Sequence, residues 1–174
     1  MATAAQLDNL HAVVPYAQAS AAKWHVPASI TLAQWMLESA WGMSRLAVQA
    51  NNCFGVKTTQ AAVPATYIEF PTAEYVQGKR VVVTALFARY SSLAAGFDAH
   101  AKLLASSPRY ARAMQASGNV QFFAERLEAA GYSTNRPPAP PPNYAAILLQ
   151  LVHEYNLTQY DNQPPAQSAA MEAA

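Results

Sequence analysis

One acid, Glu38, stands in the run LAQWMLESAWGMS (residues 32–44), with Trp35 and Trp41 on either side and no Lys or Arg nearer than Arg45. A carboxyl delivers a proton near neutral pH only when its surroundings disfavour the charged form, and apolar neighbours do this by desolvation. Cleavage of a glycosidic bond needs such a proton on the leaving oxygen. Helical spacing places Gln34 and Trp41 on the side of Glu38, with Trp35 close by. An aromatic ring there would shield the acid and stack on a sugar. The same pattern also fits a solvated glutamate on an amphipathic helix.

Other chemistry-bearing residues follow. Glu74, in FPTAEYVQGK, is a second carboxylate; placed across a cleft from Glu38 it would activate water or stabilise positive charge on a sugar. Glu69 is its rival, five residues earlier. Tyr132, directly after Gly131, offers a phenol for a polar substrate group or developing charge, or simple packing. Phe54, Gly55 and Lys57, in NNCFGVK, suit the wall of a sugar groove or an ordinary tight loop. Tyr144, in PNYAAIL, suits a cleft wall or packing at a helix start. Cys53 is the sole cysteine, so an internal disulfide is excluded. With His100 or His153 as base it would be an amidase or peptidase nucleophile, although a lone cysteine is more often a small core residue. The four histidines show no i, i+4 pair, so no metal site is expected, nor any cofactor.

These residues need a scaffold, and 174 residues suffice for one domain with a sizeable core. Hydrophobic residues make up 52% and charged residues 12%, about half the usual share. A net charge of +1 without a basic run gives no warrant for nucleic-acid or anionic-membrane binding. The N-terminus lacks the basic start and long apolar core of a signal peptide, and no apolar stretch reaches the roughly 20 residues of a membrane span.

Helical periodicity covers residues 7–24, where Pro15 is expected to separate two helices or mark a first turn. A second helix starts near Pro27 and runs to a turn at Gly42. From Ala65 to Tyr90 the period changes to two, which predicts a small antiparallel sheet of two or three strands turning at QGK. Helices are predicted over 92–106, 108–116, 119–130 and 144–156, with a proline-rich loop before the last. The expected fold is mainly α, with a helical lobe and a small antiparallel β lobe flanking a cleft. Residues 1–160 form the domain, and the Ala-, Gln- and Pro-rich tail 161–174 is expected to be disordered.

Five ordered blocks carry a resemblance: VPASITLAQWMLESAWGMSRLA, NNCFGVK, PTAEYVQGK, ARYSSLAAGFDAHAKLL and AAGYSTNRP…PNYAAILLQLVHEYNL. Over about Leu10 to Leu157 the chain resembles the bacterial β-N-acetylglucosaminidases of glycoside hydrolase family 73. The resemblance implies a lysozyme-like fold and cleavage of peptidoglycan glycan strands after N-acetylglucosamine. It makes Glu38 the general acid, favours Glu74 over Glu69, and gives Tyr132 a part in catalysis. Cys53 stands where the family usually has an aliphatic residue, and Asn135 replaces an aspartate of the family's tyrosine block. A lytic transglycosylase or muramidase on the same fold is the alternative, although GLMQ, frequent after the glutamate helix in that group, is absent. The implied partner is the glycan strand, with a cognate inhibitor protein in the producing cell if the chain is an antibacterial effector. The expected protein is a monomer, made in the cytoplasm without a signal peptide and acting in the periplasm or cell wall after delivery by a secretion system or phage lysis.

Overall fold

The computed structural model describes residues 2–58, 66–76, 79–133 and 143–161, apart from the side chains of 73–76 and 80. Helix α1 spans Ala4–Trp24, α2 Ala28–Ser39 and α3 Arg45–Ala50. Strands β1 (Tyr67–Val76) and β2 (Lys79–Ala88) follow, then α4 (Leu93–Ser106), a 3-10 turn at Pro108–Tyr110, α5 (Ala111–Met114), α6 (Val120–Ala129), α7 (Tyr144–Glu154) and a 3-10 turn at Leu157–Tyr160. A helical lobe carrying a small antiparallel β lobe is the architecture expected from the sequence.

Helix α2 is the axle. Every residue from Ala28 to Met36 is buried, as befits a helix covered on all sides. It packs against α1, α6 and α7, and Ile30, Leu32 and Trp35 join Phe97, Phe123, Leu127 and Leu148 in one core. The N-terminus of α2 has no cap from Pro27. Asp161 supplies one from the far end of the chain, accepting from the Ser29 amide at 2.8 Å. The folded unit therefore includes Asp161, one residue beyond the expected boundary; the rest of the expected tail, 162–174, lies outside the described residues.

Pro15 separates nothing: α1 runs straight through it. The carbonyl that loses its partner is that of His11, on the exposed side, while Leu10, Val13, Val14 and Ala17 stay buried. Tertiary packing of that face outweighs the missing bond.

The β lobe is one hairpin, with Tyr67 opposite Ala88 and Val76 opposite Lys79. Both strands of a hairpin are edges, so Pro71 is tolerated inside β1. The predicted QGK turn falls at 77–78, outside the described residues, as does the proline-rich loop at 134–142. Asn52, 1% exposed, fastens the hairpin's base. Its amide nitrogen donates to the carbonyls of Val56 (2.9 Å) and Ala88 (2.8 Å), and its oxygen accepts from the Val56 amide. Close by, α4 approaches the loop so tightly that a Cβ on Gly96 would lie 2.3 Å from the Asn51 carbonyl oxygen.

Candidate active site

Glu38 is the penultimate residue of α2, where that buried helix reaches the surface, and it is exposed. The chain then turns sharply. Ala40, Trp41 and Gly42 all take positive φ values of 49°, 62° and 79°. Two of the three are not glycine, so the turn costs on the order of 1 kcal/mol at each. The Ser39 hydroxyl holds it, donating to the Trp35 carbonyl at 2.6 Å and accepting from the Gly42 amide at 2.7 Å. Gly42 is required because a Cβ there would sit 3.1 Å from the Trp35 ring at a strained φ.

This turn corrects the expected surroundings of Glu38. The helix stops at Ser39, so helical spacing does not carry Trp41 onto the face of Glu38. Its ring instead packs edge-on against Trp35 and Tyr155, at 6.2 and 5.0 Å. Trp35 is 1% exposed. Tyr144 and Tyr132 are aromatic neighbours of Glu38.

Tyr144, the first residue of α7, donates its hydroxyl to Glu38 Oε1 at 3.1 Å. The start of α7 is pinned twice: the Asn143 side chain accepts from the Ala146 amide, and Glu128 Oε2 accepts from the Ala145 amide at 2.8 Å. Tyr132 stacks on Tyr144 with centroids 5.5 Å apart. The turn before Tyr132 is fixed by Arg109, which donates to the carbonyls of Ala130 (2.6 Å) and Gly131. Burial, then the Glu38 charge and Tyr110, hold the Tyr132 phenol well above its ordinary pKa. Burial, then Tyr132 and the Glu38 charge, push Tyr144 far above the phenol range, although the bond from Gln34 pulls the other way. Both rings are neutral O–H groups at any working pH.

Behind Tyr144 lies a buried polar layer. Gln34 Nε2 donates to the Tyr144 hydroxyl at 3.0 Å, and Gln34 Oε1 lies 3.0 Å from His100 Nε2. His100 is fully buried and lies flat on Phe54, with centroids 3.9 Å apart and planes 6° from parallel. Burial pushes its pKa down to about 3. Gln34 and His100 escaped the sequence reading as site members. Their signals were a buried amide one turn before Glu38 and a histidine on the apolar face of α4.

The remaining candidates divide. Phe54 is 5% exposed, its faces taken by His100 and Phe97, so it belongs to the core and not to a groove wall. Gly55 is exposed at φ 61°, and Lys57 is exposed and bridged to Phe87 of β2. The backbone of Glu74 lies in β1 opposite Val81; its side chain is outside the described residues. Glu69 is exposed, opposite Leu86. Cys53 is 1% exposed, and burial pushes its thiol up to about 11 despite a bond with Trp35. Such a thiol is a poor nucleophile at neutral pH. His100 spends its reach on Gln34 and Phe54, and His153 is exposed on α7. Among the described residues no cluster of His, Cys, Asp or Glu could hold a metal, and no helix is long and apolar enough to cross a membrane. A hollow of about 630 Å³ near Gln18, His25, Ser117 and Asp161 shares no residue with the Glu38 cluster.

Residues 14–157 match the family model of glucosaminidases, described as mannosyl-glycoprotein endo-beta-N-acetylglucosaminidase. The exo-glucosaminidase LytG of Bacillus subtilis is 36% identical over 156 residues, covering 87% of this chain and 52% of LytG. A probable N-acetylmuramidase of Lactococcus lactis is 33% identical over 139 residues, 76% of this chain and 30% of that protein. The chain thus spans about half or less of these curated relatives. The catalytic domain of the autolysin Auto of Listeria monocytogenes superposes with a TM-score of 0.75 at 27% identity, covering 92% of this chain and 90% of that one. The helical lobe, the β lobe and the match across residues 14–157 agree: the chain belongs to the glucosaminidase family, glycoside hydrolase family 73, with its lysozyme-like fold.

Proposed function

We propose that this chain hydrolyses peptidoglycan glycan strands at the β-1,4 bond after N-acetylglucosamine, with Glu38 as general acid. The observation that carries the reading is the placement of Glu38: the last turn of a buried helix, within hydrogen-bond reach of Tyr144. The negative end of the α2 dipole favours a neutral, proton-bearing carboxyl there. Glu38 gives its proton to the leaving oxygen as the bond to the anomeric carbon breaks, and positive charge builds on the sugar. The Tyr132 and Tyr144 hydroxyls supply dipoles at that charge without competing as acids. Trp41, Gly55, Lys57 and Tyr144 are the proposed sugar-contacting set.

The second carboxylate is Glu74. The resemblance supports this choice over Glu69, and the Glu74 backbone lies in β1 opposite Val81. The substrate's own acetamido group is the other available nucleophile.

Delivery of the chain to the cell wall from outside, and a cognate inhibitor in the producing cell, remain parts of this proposal. A muramidase is the second reading, favoured by the name of the Lactococcus lactis relative. Borohydride reduction of digested sacculi followed by mass spectrometry separates the two. Reduced N-acetylglucosamine ends are expected. Reduced or anhydro muramic acid ends would overturn the specificity and leave Glu38 as the acid, whereas release of peptide from intact glycan would reinstate Cys53.

A further inference from the structure

We propose that Gln34 and His100 are positioning residues that fix the direction of the hydrogen bond from Tyr144 to Glu38, and thereby decide which Glu38 oxygen carries the transferable proton. The inference rests on Glu38 being the acid, and its first two tests do not require activity.

The argument starts at the buried end. His100 Nε2 meets Gln34 Oε1, Gln34 Nε2 meets the Tyr144 hydroxyl, and that hydroxyl meets Glu38 Oε1. The orientation of the Gln34 amide decides what the Tyr144 hydroxyl, with one hydrogen and two lone pairs, offers Glu38. In the forward direction His100 donates from Nε2, Gln34 donates from its amide nitrogen, and Tyr144 donates to Glu38. His100 Nδ1 is then a bare lone pair. In the reverse direction Glu38 donates to Tyr144, Tyr144 donates to Gln34, Gln34 donates to His100 Nε2, and the ring proton sits on Nδ1. Nδ1 is buried with no hydrogen-bond partner. An unpartnered N–H in that position forfeits a strong donor, whereas an unpartnered imidazole lone pair forfeits a weaker acceptor. The asymmetry at His100 therefore biases the whole series forward.

The consequence appears at Glu38. A Tyr144 hydroxyl committed as donor occupies Oε1 as an acceptor whether the carboxyl is charged or neutral. A neutral Glu38 then carries its proton on Oε2. Without the bias, Tyr144 could accept the proton from Oε1, parking it inside the protein and away from a glycosidic oxygen. Tyr132 also faces Glu38 but stacks on Tyr144; no hydrogen bond ties it to the Gln34 series, so it does not set this direction.

Three measurements test the idea. Nitrogen-15 correlation spectra of the wild-type chain should show His100 as the Nε2–H tautomer at neutral pH; an Nδ1–H tautomer overturns the proposal. Carbon-13 titration of Glu38 should move to higher pH in Gln34→Met, which removes the amide donor that polarises the Tyr144 hydroxyl, and in His100→Phe, which frees the Gln34 amide to turn over and take the Tyr144 hydrogen. Unchanged titration in a folded variant also overturns it. His100→Gln, which can hold an N–H near the place of Nε2, should restore the wild-type titration. On peptidoglycan, Gln34→Met and His100→Phe should lower kcat by about 10-fold with KM nearly unchanged, a smaller loss than that of the acid itself. If wild-type chain shows no lysis while the spectra behave as expected, the hydrolase reading fails and the relay stands.

Discussion

At the scale of single residues, Glu38 carries the most weight. Glu38→Gln keeps size and hydrogen bonding but has no proton to give. It should abolish lysis of purified peptidoglycan, a loss of at least about 10²-fold, with circular dichroism and melting temperature near wild type. Lysis by the folded variant would remove Glu38 as the acid. Glu74→Gln should lower turnover while Glu69→Gln leaves it unchanged, as the family resemblance favours Glu74; the reverse outcome would exchange their roles. Tyr132→Phe should lower turnover less than Glu38→Gln does. The importance of Glu38 was legible in the sequence because a lone acid in an apolar run is conspicuous. Its environment was not. Helical spacing assumes the helix continues, and three left-handed residues held by the Ser39 hydroxyl send Trp41 elsewhere.

At the scale of elements, most helices were legible from their apolar periodicity, and the structure adds the caps that start them: Ser92 before α4, Asn119 before α6 and Asn143 before α7 each accept a backbone bond. The continuity of α1 through Pro15 was not, since local preference opposes it and only burial of the opposite face decides. Nor was the Gln34–Tyr144 contact, which joins residues 110 positions apart. Close approach between elements yields a direct test. Gly96→Ala places a methyl group against the Asn51 carbonyl, so α4 or the loop bearing Asn51 must shift. The variant should lose about 1–3 kcal/mol of stability in urea unfolding. Because the same loop fastens the hairpin through Asn51 and Asn52, the loss should come with reduced turnover.

For the whole molecule, the buried histidine couples folding to acidity. An unfolded His100 binds a proton near its ordinary pKa of 6.5, but the folded one binds only near about 3. Between these values the unfolded state holds more protons, so stability rises with pH across the window and falls on acidification. The slope reaches at most about 1.4 kcal/mol per pH unit. Asp161, whose carboxyl is raised by burial, acts in the opposite direction. Urea unfolding at a series of pH values should show the net decline, and His100→Gln should flatten it. An equal decline in that variant would assign the acid sensitivity elsewhere.

The sealed thiol makes the chain its own unfolding clock. Cys53 is the single sulfhydryl, sits beneath the surface at 1% exposure and has a thiol pushed up to about 11. Folding of these 174 residues therefore involves no internal disulfide. A maleimide added to the native protein can react only when the core opens. Its rate of capture at rising reagent concentration should plateau at the rate of that opening, as the first methylene-deleting core substitution would verify by raising the plateau. Capture as fast as that of a free thiol would mean that Cys53 is reached without opening the core.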